Sequence, residues 1–118
     1  MEYKYINTEY LDTVSGGDNN IIREIVDMFR EQCKEIHEQM IAKLSEGDYR
    51  MLGMLAHKAK SSVAIMGMES MAAMLKTFEL DAKEGRNPDS YSSYIERFRN
   101  ETEAAVFELE DMIEKRRL

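Results

Sequence analysis

The sequence predicts an all-α protein, an antiparallel four-helix bundle with a short N-terminal helix lying across one end. Three observations carry that prediction. Apolar residues recur at three- and four-residue steps over nearly the whole chain, which lines one face of a helix. Five of the six glycines and the single proline, Pro88, fall between those runs, where helices start and stop. Strand-like alternation is weak by comparison. Four amphipathic helices on short connections can bury their stripes only against one another, and a bundle does this economically.

Taken in order, a short helix covers about residues 8 to 14 (TEYLDTV) and is stopped by Gly16-Gly17. Asp18 then caps a long helix whose stripe is Ile22, Ile25, Phe29, Cys33, Ile36, Met40 and Leu44. Glu46-Gly47-Asp48 ends it and begins a helix over about residues 48 to 66, broken by Gly67. A further helix over about 69 to 84 buries Met71, Leu75, Phe78 and Ala82, with Gly85 as its C-terminal stop. Asn87-Pro88 reads as an N-cap with proline at the first helical position. The last helix runs to about residue 116 on Tyr91, Ile95, Phe98, Thr102, Ala105, Leu109 and Met112. Lys115, Arg116 and Arg117 fall in its last turn, where positive charge suits the helix dipole.

Length and composition narrow the function. The 118 residues suit one domain spanning 1–118, and 43% hydrophobic with 33% charged residues suits a folded one. A net charge of −7 disfavours nucleic acid as a partner, since that affinity is built from Lys and Arg. No apolar run approaches the roughly 20 residues of a membrane span, and MEYKYINTEY lacks the apolar core of a signal peptide. Cys33 is the only cysteine and cannot form an internal disulfide, so the cytoplasm is the expected compartment. A monomer is expected, because all four stripes can be consumed internally. The initial Met and the complete set of stripes fit a free-standing chain.

The stretch LAHKAKSSVAIMG, residues 55 to 67, holds one of the two histidines. At about 100° per residue, Leu52, Leu55, Ala59, Val63 and Met66 fall roughly 160° to 240° from His57. Arg50, Gly53, Met54, Lys60, Ser61 and Ala64 fall within about 60° of it by the same spacing. His57 is therefore centred on the outer face, opposite the core. Gly53 and Ala64 leave little bulk beside the ring. Lys60 and Ser61, at i+3 and i+4, can reach a group attached to it. An ammonium and a hydroxyl supply the charge neutralisation and hydrogen bonding that a phosphoryl group requires, and neutral imidazole is a competent nucleophile near pH 7. On spacing alone, an idle surface histidine fits equally well.

These residues resemble the histidine-containing phosphotransfer (HPt) domains of multistep phosphorelays. The family hallmark is His-x-x-Lys-[Gly/Ser]-[Ser/Ala] with a glycine near i+10; here it reads His57-Lys58-Ala59-Lys60-Ser61-Ser62, with Gly67 in place. The SGGD at 15 to 18, the GD at 47 to 48 and the predicted bundle are similar as well. The resemblance implies that His57 is phosphorylated on Nε2, that Lys60 steadies the phosphoryl oxygens, and that Ser61 stands where many relatives have Gly. Ser62 is expected to pack or to bond backbone. Relatives place a Gln or Glu in the next helix to accept from the other ring nitrogen, and without gaps that position is Glu79. A carboxylate there fixes the tautomer and raises the basicity of Nε2. Lys83, one turn on, is a weaker candidate for phosphate or partner charge.

The partners so implied are response-regulator receiver domains, with a hybrid sensor histidine kinase as a further one. Mg²⁺ is supplied by the receiver and no cofactor is held by this chain, which carries no kinase or Walker signature. Apolar surface for docking is expected from Met54, Ile21, Met28, Leu11 and Val14, flanked by Gly53 and Ala64. The alternative function is an HPt-like interaction module that docks without carrying phosphate. A metal-carboxylate bundle fits poorly, since Lys34 and Met54, not glutamates, stand three residues before His37 and His57. His37 reads as a boundary residue and Cys33 as core.

Overall fold

A computed structural model describes residues 3–116 of the chain. In order, it places α1 at Glu9–Ser15, α2 at Asn19–Glu46, α3 at Tyr49–Ile65 and α4 at Glu69–Glu84, then a 3-10 turn at Pro88–Ser90 and α5 at Tyr91–Arg116. The architecture is all-helical, with no strand among the described residues. Arg117, expected in the last turn, lies outside them. Among the described residues no helix is long and apolar enough to cross a membrane.

The boundaries follow from local chemistry. The Asp18 carboxylate accepts from the Asn20 and Ile21 amides at the start of α2, and the Asp48 carboxylate accepts from the Met51 amide at the start of α3. Each satisfies amide groups that the first helical turn leaves unpaired. Gly47 and Gly85 adopt left-handed φ of 70° and 66° and close α2 and α4. The following amides, of Asp48 and Arg86, reach back to the carbonyls of Lys43 and Asp81.

Asn87 takes the expected position ahead of Pro88 at the start of the turn but departs from the usual capping geometry. It sits at φ 54°, its side chain makes no capping bond, and it donates instead to Asp81. Asn tolerates this left-handed turn better than most residues, and the turn brings Tyr91 under the end of α4. There its hydroxyl meets the carbonyls of Asp81 and Arg86.

α2 packs on α3 and α5, and α4 packs on the same two helices, so the four stripes share one core. Early α2 meets late α5 through the ion pair of Arg23 with Glu110, at 2.6 Å. Late α4 lies beside early α3, where Lys83 crosses Gly53, and the Ser70 hydroxyl accepts from Arg97 of α5. Every expected stripe residue of α5 is buried, from Tyr91 to Met112. In α2 the buried line is Ile22, Val26, Phe29, Cys33, Ile36 and Met40, while Ile25 and Leu44 are only half-buried. Steps of three or four from Ile22 permit either Ile25 or Val26, and it is Val26 that is fully buried in the core.

Leu11, expected as docking surface, is fully buried. The reason is the N-terminal segment: Glu108 accepts from the amides of Lys4, Tyr5 and Ile6, and the Asn7 amide donates to the carbonyl of Met66. This strap sets α1 down with Leu11 facing the core. Gly67, at φ 69°, lies directly against it, and a Cβ there would sit 2.5 Å from the Asn7 carbonyl oxygen. Gly67→Ala therefore faces both backbone strain and a clash with a backbone atom. It is expected to lose more than about 1 kcal/mol of stability by urea unfolding, and an unchanged midpoint would contradict this packing.

Candidate functional site

His57 lies in the middle of α3 with its side chain 60% exposed. Its Nδ1 is 3.1 Å from Oε2 and 3.2 Å from Oε1 of Glu79 on α4. A carboxylate only accepts, so this contact assigns the ring proton to Nδ1 and leaves the Nε2 lone pair turned to solvent.

Glu79 is 6% exposed and still surrounded by charge. Lys60 donates to its Oε1 at 3.1 Å and Lys83 to its Oε2 at 2.7 Å. Those bonds, the Lys83 bond foremost, hold its carboxyl at about 2 against the opposing effect of burial. Two ammonium groups and one ring nitrogen therefore share a single carboxylate. Such a donor set suits no divalent cation, which needs several free oxygens.

Three helical relations assemble this cluster. His57 and Lys60 are one turn apart on α3, Glu79 and Lys83 one turn apart on α4, and α4 comes close to α3 at Gly53. Glu79 stands beside Nδ1, at the position reached by ungapped spacing from the motif. Ser61 is exposed, and its hydroxyl turns back to the His57 carbonyl across a long 3.4 Å contact. Ser62 is buried, with Gln32 Oε1 of α2 and the Lys58 carbonyl both within reach of its one hydroxyl hydrogen.

Gly53 is not part of an open face. It is buried between α3 and α4, against the Lys83 stem, so it is corrected from docking surface to helix contact. The wheel placed it 40° from His57, but α4 packs tightly enough to cover that flank. Leu11 is likewise withdrawn from the docking set. The remaining candidates are exposed: Met54 and Ala64 on α3, Val14 on α1, and Ile21 and Met28 on α2.

Tyr10 and Ile65 join them without having been expected. Ile65 is eight residues after His57, about 80° from it on the wheel, so spacing alone could have found it. Tyr10, Val14, Met28 and Ile65 line a groove of about 290 Å³ where α1, α2 and α3 meet, floored by Phe29 and Met66.

A family model described as the Hpt domain matches residues 24–117 of the chain. No curated protein and no solved structure matches it.

The depressed Glu79 carboxyl has a consequence for stability. An unfolded glutamate titrates near 4.5 and the folded one at about 2. The ion-pair stabilisation is thus fully present above pH 4.5 and is lost as pH falls through 2. Urea unfolding of wild type and Glu79→Gln should show a gap at pH 6 that narrows steadily towards pH 2.5. A gap independent of pH would contradict the ion-paired carboxylate.

Proposed function

We propose that this chain, which belongs to the Hpt domain family, relays a phosphoryl group between receiver-domain aspartates through Nε2 of His57. Hpt domains take part in histidine phosphotransfer signalling and interact with receiver domains and kinases. The observation that carries the finer reading is the single-sided tether of the ring. Nδ1 is held by a buried carboxylate while the opposite nitrogen faces solvent.

The step balances without an added acid or base. The Nε2 lone pair forms a bond to phosphorus as the P–O bond of the aspartyl phosphate breaks, and the aspartate leaves as carboxylate. The phosphorylated ring keeps its Nδ1 proton, and Glu79 offsets the charge that develops on it. Transfer to a second receiver runs the same bonds in reverse. Lys60 turns from Glu79 to the phosphoryl oxygens, and the loosely held Ser61 hydroxyl is a second donor. Lys83 stays with the carboxylate. In this reading Mg²⁺ belongs to the receiver and this chain binds no cofactor, so its contribution is positioning and charge.

The receiver docks on the apolar groove of Tyr10, Val14, Met28 and Ile65, with Ile21, Met54 and Ala64 around it. Aromatic and Met side chains are favoured at such surfaces. We read the helices as one antiparallel four-helix bundle with α1 across an end, working as a monomeric cytoplasmic domain. The pairings of Arg23 with Glu110, Gly53 with Lys83 and Ser70 with Arg97 support that topology.

Incubation with a phosphorylated receiver and Mg²⁺ tests the relay. Acid-labile, base-stable label is expected on wild type and none on His57→Gln. Label that survives His57→Gln would overturn the assignment. A wild-type chain that binds the receiver and takes no label would instead identify a docking module.

A further inference from the structure

The closeness of α3 and α4 has a local cause at Gly53. This glycine has ordinary helical backbone angles, so no left-handed turn requires it. In a helix interior it costs on the order of 1 kcal/mol relative to alanine. What the site uses is the missing Cβ. An added one would lie 2.7 Å from Cγ of Lys83, 3.3 Å from the carbonyl oxygen of Glu79 and 3.4 Å from the amide nitrogen of Lys83. The first of these atoms is near the root of the lysine side chain and the other two are backbone. None can yield like a free chain end. Either the Lys83 stem rotates away or α4 retreats, and both take the ammonium from Glu79.

We propose that Gly53 is a positioning residue: the notch it leaves in α3 seats the Lys83 stem and so sets the second ammonium on Glu79. Its functional consequence rests on the phosphotransfer reading of His57. Glu79 offers one oxygen to Lys60 and the other to Lys83. When Lys60 turns to a phosphoryl group, a buried carboxylate left with the ring and no ammonium partner would gain protons more readily or shift towards solvent. Lys83, lying in the notch, keeps it charged and in register with Nδ1. The two lysines thus divide the work, one moving and one fixed.

Gly53→Ala, Lys83→Ala and the double variant test this, with the Glu79 carboxyl followed by carbon NMR as pH is lowered. From about 2 in the wild type, the midpoint should rise by about one unit or more in either single variant, since an opposite charge at this distance lowers a carboxyl by that much. The double variant should match Lys83→Ala, because Gly53 acts only through the lysine. A Gly53→Ala protein with the wild-type midpoint would overturn the proposal, as would effects that add in the double variant. Should Gly53→Ala fail to fold, Lys83→Ala in the same chain must restore folding by emptying the notch, and continued failure would overturn it equally. None of these readings involves phosphoryl transfer, so an unlabelled His57 and an inert Gly53 are distinguishable results.

Discussion

The buried Glu79 carboxylate is the constraint from which the site follows. An ionised carboxylate removed from water is costly unless it is paired and hydrogen-bonded. Here the pairing comes from Lys60 and Lys83, one from each of two adjacent helices, and the hydrogen bond from Nδ1 of His57. Satisfying all three requires α3 and α4 to approach closely, which in turn requires the small residue at Gly53. The same carboxylate fixes one end of an imidazole whose other end stands in solvent. Exposure and orientation are ordinarily in conflict, because a side chain 60% exposed has many rotamers to choose from. One bond to a buried, immobile acceptor resolves that conflict.

The remainder of the fold serves as a platform for this pair of helices. α2 and α5 close the core on the far side, and the strap held by Glu108 sets α1 down with Leu11 inside. Burying Leu11 leaves Tyr10 and Val14 on the outer side of α1, where they meet Met28 and Ile65 across the groove. The apolar groove and the charged cluster therefore flank His57 on α3, with Ile65 about 80° to one side of it and Lys60 about 60° to the other. α3 supplies Ile65 to one and His57 with Lys60 to the other.

Much of this was legible in the sequence, for identifiable reasons. Helix spans followed from apolar periodicity and from glycines at 16, 47, 67 and 85, each with positive φ. The outward direction of His57 followed from the strict core spacing of Leu52, Leu55, Ala59 and Val63. Glu79 followed only from the family resemblance, since no local pattern ties residue 79 to residue 57. Partners set by packing were hidden. Gly53 and Leu11 carry no signal that separates a small or apolar surface residue from one covered by a neighbouring helix or strap. Asn87 matched a capping pattern, but it takes a left-handed conformation and its side chain donates to Asp81 instead of capping.

The central claim is that Glu79 sets which ring nitrogen carries the proton. Nitrogen-15 NMR of the neutral His57 ring reads this directly, because protonated and bare ring nitrogens resonate far apart. The account predicts a proton on Nδ1 and a bare Nε2, with that preference lost in Glu79→Ala. A proton resident on Nε2 in the wild-type protein would contradict it, since the nucleophilic lone pair would then point into the helix pair instead of towards solvent.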